Sequence, residues 1–173
     1  MIRTARSFCI FFLILFCHTA IASSLPRGII TIDNRMASAF QLVDLDSNVY
    51  TFKPASGHWQ FVHFWASWCG PCRREMPTIE RMRAKMKGTH LEIILVNTAE
   101  AEDTAFTFLA GIAPDLNSLL DTHGEVTEQW QPRGLPSTYL VDPYGQIRYL
   151  ALGGRPWDTP VYLDFLKKLP AEK

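Results

Sequence analysis

The chain has 173 residues, 17 basic against 17 acidic, with 47% hydrophobic and 12% aromatic residues, a profile of one globular domain that excludes both a disordered chain and two large domains. Zero formal charge excludes the strong basic footprint of a dedicated nucleic-acid binder. Four cysteines are too few for a disulfide-stapled mini-protein of this length, so their positions carry their meaning.

Residues 1–22 open with Arg3 and Arg6, continue through an apolar run from Phe8 to Cys17 and close on Ala20-Ile21-Ala22. That is the layout of a secretory signal peptide cut after Ala22. An uncleaved membrane anchor and lipidation at Cys17 are the alternatives. The apolar run is shorter than the ~20 residues a bilayer asks for, and bulky Phe16 sits where a lipoprotein signal carries a small residue. Export, to the periplasm or the outer face of the inner membrane, removes two basic residues and two cysteines, leaving a net charge of about −2 and two thiols, Cys69 and Cys72. A linker is expected over 23–35 and a single domain over 36–173.

Phe40 to Leu45 and Val49 to Phe52 flank Asp46-Ser47-Asn48 and predict two short strands around a turn. Phe61 to Ala66 is the mostly apolar run of a strand buried on both faces. It leads into Trp68-Cys69-Gly70-Pro71-Cys72 and then Met76, Ile79, Met82 and Met86 at helical spacing, so the order is strand, tight turn, amphipathic helix. Leu91 to Val96 follows as a second buried strand, parallel to the first across that helix. Ala101 to Leu109 predicts a helix with Phe106 and Leu109 on one side, Asp115 to Asp121 an extended piece, and Glu125 to Trp130 a short helix. Ser137 to Val141 and Ile147 to Leu152 flank Asp142-Pro143-Tyr144-Gly145, a turn between two antiparallel strands. Thr159-Pro160 opens a last helix with Val161, Phe165, Leu166 and Leu169 inward. The fold class is α/β with a mixed sheet.

A C-x-x-C pair at the opening of a helix after a buried strand is a redox arrangement. Unpaired N–H groups and the helix dipole favour thiolate over thiol at the first cysteine, and Arg73 and Arg74 add positive charge. Cys69 is therefore the expected nucleophile and Cys72, one turn on, the resolving thiol; Pro71 fits the first turn because it has no N–H to lose. A zinc site would need four ligands, and His58, His63, His90 and His123 are scattered without a second cysteine pair. No metal is expected, and neither a G-x-G-x-x-G nor a P-loop points to another cofactor. Arg73, Arg74, Arg81, Arg83, Lys85 and Lys87 against Glu75 and Glu80 leave residues 73–87 about +4, a solvated face or a docking face for an acidic partner. Among the tryptophans, Trp59, Trp65, Trp130 and Trp157 are expected in the core and Trp68 at the surface beside the sulfur, in contact with substrate.

The run Phe64-Trp65-Ala66-Ser67-Trp68-Cys69-Gly70-Pro71-Cys72-Arg73-Arg74-Glu75-Met76-Pro77 resembles the active site of thioredoxin-fold proteins, in particular the exported TlpA/ResA-like thiol–disulfide oxidoreductases. Gly134-Leu135-Pro136-Ser137-Thr138-Tyr139-Leu140-Val141-Asp142 is similar to that family's cis-proline loop and following strand. The resemblance implies a thioredoxin-like fold with an N-terminal β-hairpin extension, a cis Leu135–Pro136 bond beside the cysteines, and substrate held by Trp68, Gly70, Pro71, Leu135 and Pro136. It implies a reversible Cys69–Cys72 disulfide in place of a cofactor, a disulfide-containing protein as substrate and a membrane donor of thiol electrons. A monomer is expected. His63 stands where relatives carry a buried Asp or Asn and could act as a general base titrating near neutrality; a neutral core histidine bonded to backbone is the other reading. Ser137 replaces the acidic residue of the cytochrome-maturation branch, which counts against that role. Gly-Pro between the cysteines is the reducing thioredoxin dipeptide, so a reductase is favoured over an oxidase or isomerase. A Cu(I) chaperone using the same thiolates is the competing binding function, and a thiol peroxidase has the wrong cysteine context.

Overall fold

The computed structural model describes residues 25–169, so the expected leader, residues 1–22, lies outside the described residues. The elements are β1 (Ile29–Thr31), β2 (Phe40–Asp44), β3 (Val49–Phe52), β4 (Trp59–Trp65), α1 (Gly70–Lys85), β5 (Leu91–Thr98), α2 (Glu102–Ile112), β6 (Leu119–Asp121), α3 (Glu125–Trp130), β7 (Ser137–Val141), β8 (Ile147–Leu152) and α4 (Pro160–Lys167). They form one mixed sheet in the order β1-β8-β7-β4-β5-β6-β2-β3. β4 lies near its centre because five of its seven residues are apolar, and all seven are buried. It pairs parallel with β5 and antiparallel with β7.

β2 and β3 pair antiparallel from Phe40↔Phe52 to Val43↔Val49 and join the sheet through β6. The turn between them is held by Asp44, whose carboxylate accepts from the backbone N–H groups of Asp46 and Asn48. Local side-chain bonds of this kind are why Asp and Asn close tight turns. Residues 29–31, expected within a linker, instead form β1 against β8. Two apolar residues in three gave no strand signal; the open edge of β8 supplies the pairing.

The sheet separates two cores. One, under α1, α2 and α4, contains Phe61, Trp65, Cys69, Cys72, Met76, Ile79, Met82 and Trp157; the other, on the opposite face, is an aromatic cluster of Phe40, Phe52, Phe64, Trp130 and Tyr139. Met76, Ile79 and Met82 are each fully buried, so the predicted stripe of α1 is the face laid on the sheet. One inward assignment is corrected, that of Val161, which is 58% exposed; Phe106, read on one side of α2 with Leu109, is exposed as well. Phe108 and Leu109 bury α2 instead, and Tyr162, Leu163 and Leu166 bury α4. Val161 lies in the first turn of a short helix, where apolar spacing alone leaves the phase of the buried face open by about one residue.

Candidate active site

Cys69 occupies the N-cap of α1 with extended backbone, φ −78° and ψ 108°. Its sulfur accepts a hydrogen bond from the Cys72 N–H at 3.2 Å, and the two cysteines are joined as a disulfide. The first turn of α1 holds no acidic residue, so no carboxylate competes there with a thiolate for the helix's unpaired N–H groups and positive dipole end. Cys69 is 5% exposed, Cys72 is fully buried and Trp68 is 68% exposed. Such asymmetry lets one sulfur meet an outside disulfide while the other waits inside.

The loop before the helix is anchored by a buried carboxylate. Glu100 accepts from the Ser67 backbone N–H at 2.7 Å, from the Ser67 hydroxyl, and from the Asn97 side chain at 2.7 Å. Arg73 donates to the Ser67 carbonyl and lies over the Phe108 ring, 5.1 Å from its centroid. Ser67 is thereby held through its N–H, its hydroxyl and its carbonyl, two residues before Cys69.

One turn further along α1 begins a buried pair. Glu75 is three residues on from Cys72, on the same face of α1, and is 2% exposed. One of its oxygens accepts from the Arg155 backbone N–H at 2.9 Å and from the Trp157 indole N–H. The other, Oε2, has no hydrogen bond and lies 3.9 Å from His63 Nε2, also unbonded. Burial pushes the Glu75 carboxyl up to about 8, against the lowering effect of its bonds to Arg155 and Trp157. Burial pushes the His63 imidazole down to about 3, which corrects the expectation of a histidine titrating near neutrality. His63 is held neutral, and its Nδ1 bonds the Thr138 hydroxyl at 2.8 Å rather than backbone. Glu75 was read from the sequence only as part of a family-like run. Its signal was a lone acid among the buried-face positions of an amphipathic helix.

Leu135–Pro136 is a cis peptide at the start of β7. The register Phe64↔Ser137 puts the start of β7 at the end of β4 from which the cysteine loop departs. Pro136 O accepts from Gly153 N–H at 2.9 Å, and the neighbouring Gly154 approaches Pro71 so closely that an added Cβ would stand 3.2 Å from its carbonyl oxygen. The structure thus gathers Trp68, Gly70, Pro71, Leu135 and Pro136 around one end of the sheet. Of the basic residues on α1, Arg81 pairs with Asp158, Lys85 donates to the Asp158 carbonyl and Arg83 to that of Asp115. The broad basic face is largely tied to the protein itself. Among the described residues no group of three or more His, Cys, Asp or Glu side chains is placed to hold a metal ion.

A mixed sheet flanked by helices, with a C-x-x-C capping the first long helix opposite a cis-proline loop, is a thioredoxin-like fold. The chain belongs to the AhpC/TSA family, whose model matches residues 34–150. It is 27% identical to thiol-disulfide oxidoreductase ResA of Bacillus subtilis (strain 168) over 117 residues, covering 68% of this chain and 65% of the relative. It is 32% identical to ResA of Halalkalibacterium halodurans over 115 residues, covering 66% and 65%. The chain thus spans just under two thirds of the length of these curated relatives. The thioredoxin domain of a thiol-disulfide oxidoreductase from Bacteroides vulgatus superposes with a TM-score of 0.65 at 26% identity, covering 84% of this chain and 98% of that one.

Proposed function

We propose that the protein is an exported thiol–disulfide oxidoreductase working as a reductase of protein disulfides. The observation that carries this reading is the asymmetric dithiol: Cys69 at the N-cap of α1 and Cys72 fully buried three residues before Glu75, a buried carboxyl with an unbonded oxygen. In the reduced protein the Cys69 thiolate attacks one sulfur of a substrate disulfide. A Cys69–substrate bond forms, the substrate S–S bond breaks, and the second substrate sulfur leaves as a thiolate that takes a proton. The ionised fraction of Glu75 then takes the proton of Cys72, which attacks Cys69, re-forming the Cys69–Cys72 bond and expelling the second substrate sulfur as a thiolate that takes a proton. Two electrons pass to the substrate, and an external dithiol restores them.

Glu75 suits the second step because its raised affinity for protons lies close to that of a free thiol, about 8.5, so the proton can move either way at small driving force. His63 serves as a positioning residue: neutral, tied to Thr138, and presenting Nε2 to the carboxyl. Trp68, Gly70, Pro71 and the Leu135–Pro136 backbone supply the surface that holds an extended substrate segment. The ResA names of the relatives support the reaction class, and the leader-like residues 1–22 support export.

Direction follows from the reduction potential of the Cys69–Cys72 couple. A value near about −270 mV marks a reductase and one near about −120 mV an oxidant. Equilibration with a glutathione redox buffer, read by tryptophan fluorescence or thiol alkylation, measures it. A reduced protein that binds Cu(I) stoichiometrically against a chelator but exchanges no disulfide would overturn the reading.

A further inference from the structure

Arg74 is the one arginine of the first two turns of α1 without a hydrogen bond or ion pair among the described residues. Its guanidinium folds back along the helix, with Nη1 3.6 Å from the point a Gly70 Cβ would occupy, as long helical side chains do. That places the charge beside the residue that follows the nucleophile. Across from it stands Arg155. Its guanidinium donates to the Gly154 and Leu152 carbonyls, its Nε has no hydrogen-bond partner, and no carboxylate pairs with it among the described residues. Gly28, at φ +79°, leaves room for it: an added Cβ there would lie 1.9 Å from Arg155 Nη2.

Between the two arginines is a cavity of about 400 Å³, bordered by Pro71, Thr78, Gly154 and Glu75. Burial keeps most of Glu75 protonated at neutral pH, so the walls carry two positive charges and no full negative one. Pro71 borders the cavity and belongs to the surface that the proposed function gives to the substrate chain. An extended chain advances about 3.3 Å per residue, so a side chain within about two residues of the attacked cysteine reaches it.

We infer that this cavity is a subsite for a carboxylate side chain of the substrate protein, and that Arg74 selects disulfides with Asp or Glu near the attacked cysteine. The inference rests on the oxidoreductase reading and extends it to substrate class. Arg155 shapes the wall and adds field, while Arg74, free of other bonds, makes the direct contact. An arginine fork matches a carboxylate with two parallel N–H donors, which a neutral side chain cannot engage.

The test uses disulfide-bonded peptides with blocked termini, identical except for Glu, Ser or Lys two residues from a cysteine. At low salt the Glu peptide is expected to be reduced with a kcat/KM at least tenfold that of the Lys peptide, through KM rather than kcat. The ratio should fall several-fold in 0.5 M salt and in Arg74→Gln, and be only partly restored in Arg74→Lys, which keeps the charge but not the fork. An unaltered ratio in Arg74→Gln overturns the inference. A second arm needs no turnover: nitrogen-15 NMR titration of the oxidised protein with the same peptides carrying serine for cysteine. Shifts of the Arg74 and Gly154 resonances with the Glu peptide but not the Lys peptide are expected. Equal responses to both overturn the subsite whatever the redox result. Selective shifts without reduction of any peptide would leave the subsite standing and remove the oxidoreductase reading.

Discussion

Glu75 and His63 are the residues whose behaviour departs furthest from their free amino acids, and both departures have a sign. The Glu75 carboxyl is raised from 4.5 to about 8 in the folded protein, so the fold holds its proton more tightly than the unfolded chain does. Its stabilising contribution is full below about pH 4.5 and is lost as pH rises through about 8. His63 is lowered from 6.5 to about 3; its contribution is full above about pH 6.5 and is lost as pH falls through about 3. Urea unfolding between pH 5 and 9 should show wild type losing stability relative to Glu75→Gln on the alkaline side, on the order of a few kcal/mol. A flat difference between the two proteins would show that Glu75 is not buried as a neutral acid. Gln can still accept from Arg155 N–H and the Trp157 indole, so the comparison isolates the ionisation. The same variant is expected to slow Cys72-dependent release of substrate about a hundredfold while leaving capture by Cys69 within a few-fold, as read by rapid acid quench of the mixed disulfide.

Helix α1 does two jobs on opposite terms. Its N-terminus must stay electropositive for Cys69, and its buried face must carry Glu75 within the core. The second is possible because α4 is preceded by a loop that brings the Arg155 backbone N–H and the Trp157 indole to one carboxylate oxygen. Those bonds favour the charged form. Trp157→Phe removes the indole donor and should therefore move the Glu75 ionisation upward; the pH profile of mixed-disulfide release would shift to higher pH, and an unmoved profile would count against Glu75 as the group observed. At the other end of the loop, Glu100→Ala frees both Ser67 and Asn97. A loss of about 1–3 kcal/mol is expected, the usual effect of leaving buried donors unpaired. Thermal unfolding measures that loss, and slower capture by Cys69 should accompany it.

At the scale of the molecule, the sheet keeps redox chemistry and bulk stability on different faces. The cysteines, Glu75's helix and Trp157 share one core, while Phe52 stacks on Phe40 at 4.8 Å and meets Trp130 edge-on at 5.5 Å in the other. Phe52→Ala should cost about 3–5 kcal/mol, a large share of the ~5–15 kcal/mol typical of a domain. Turnover measured well below the new Tm should stay within about twofold of wild type. A variant equally impaired at low temperature would show the two cores to be coupled through the sheet.

The strand, turn and helix around Cys69 and Cys72 were legible in the sequence because each is a local pattern: an unbroken apolar run, a proline in a first turn, methionines and isoleucine at helical spacing. So were β7, β8 and the turn between them. Residues 29–31 were not, since a three-residue edge strand takes its conformation from the neighbour it pairs with. Nor was the state of His63 legible. Composition and spacing offered a base of ordinary affinity, and only complete burial at the centre of the sheet made it neutral. Glu75 shows the division most plainly. Its position on α1 is written in the chain, but its proton is decided by burial and by Arg155 and Trp157, 80 and 82 residues after it. Local sequence determined where the dithiol stands. The desolvation that tunes its proton carrier exists only once distant elements close over it.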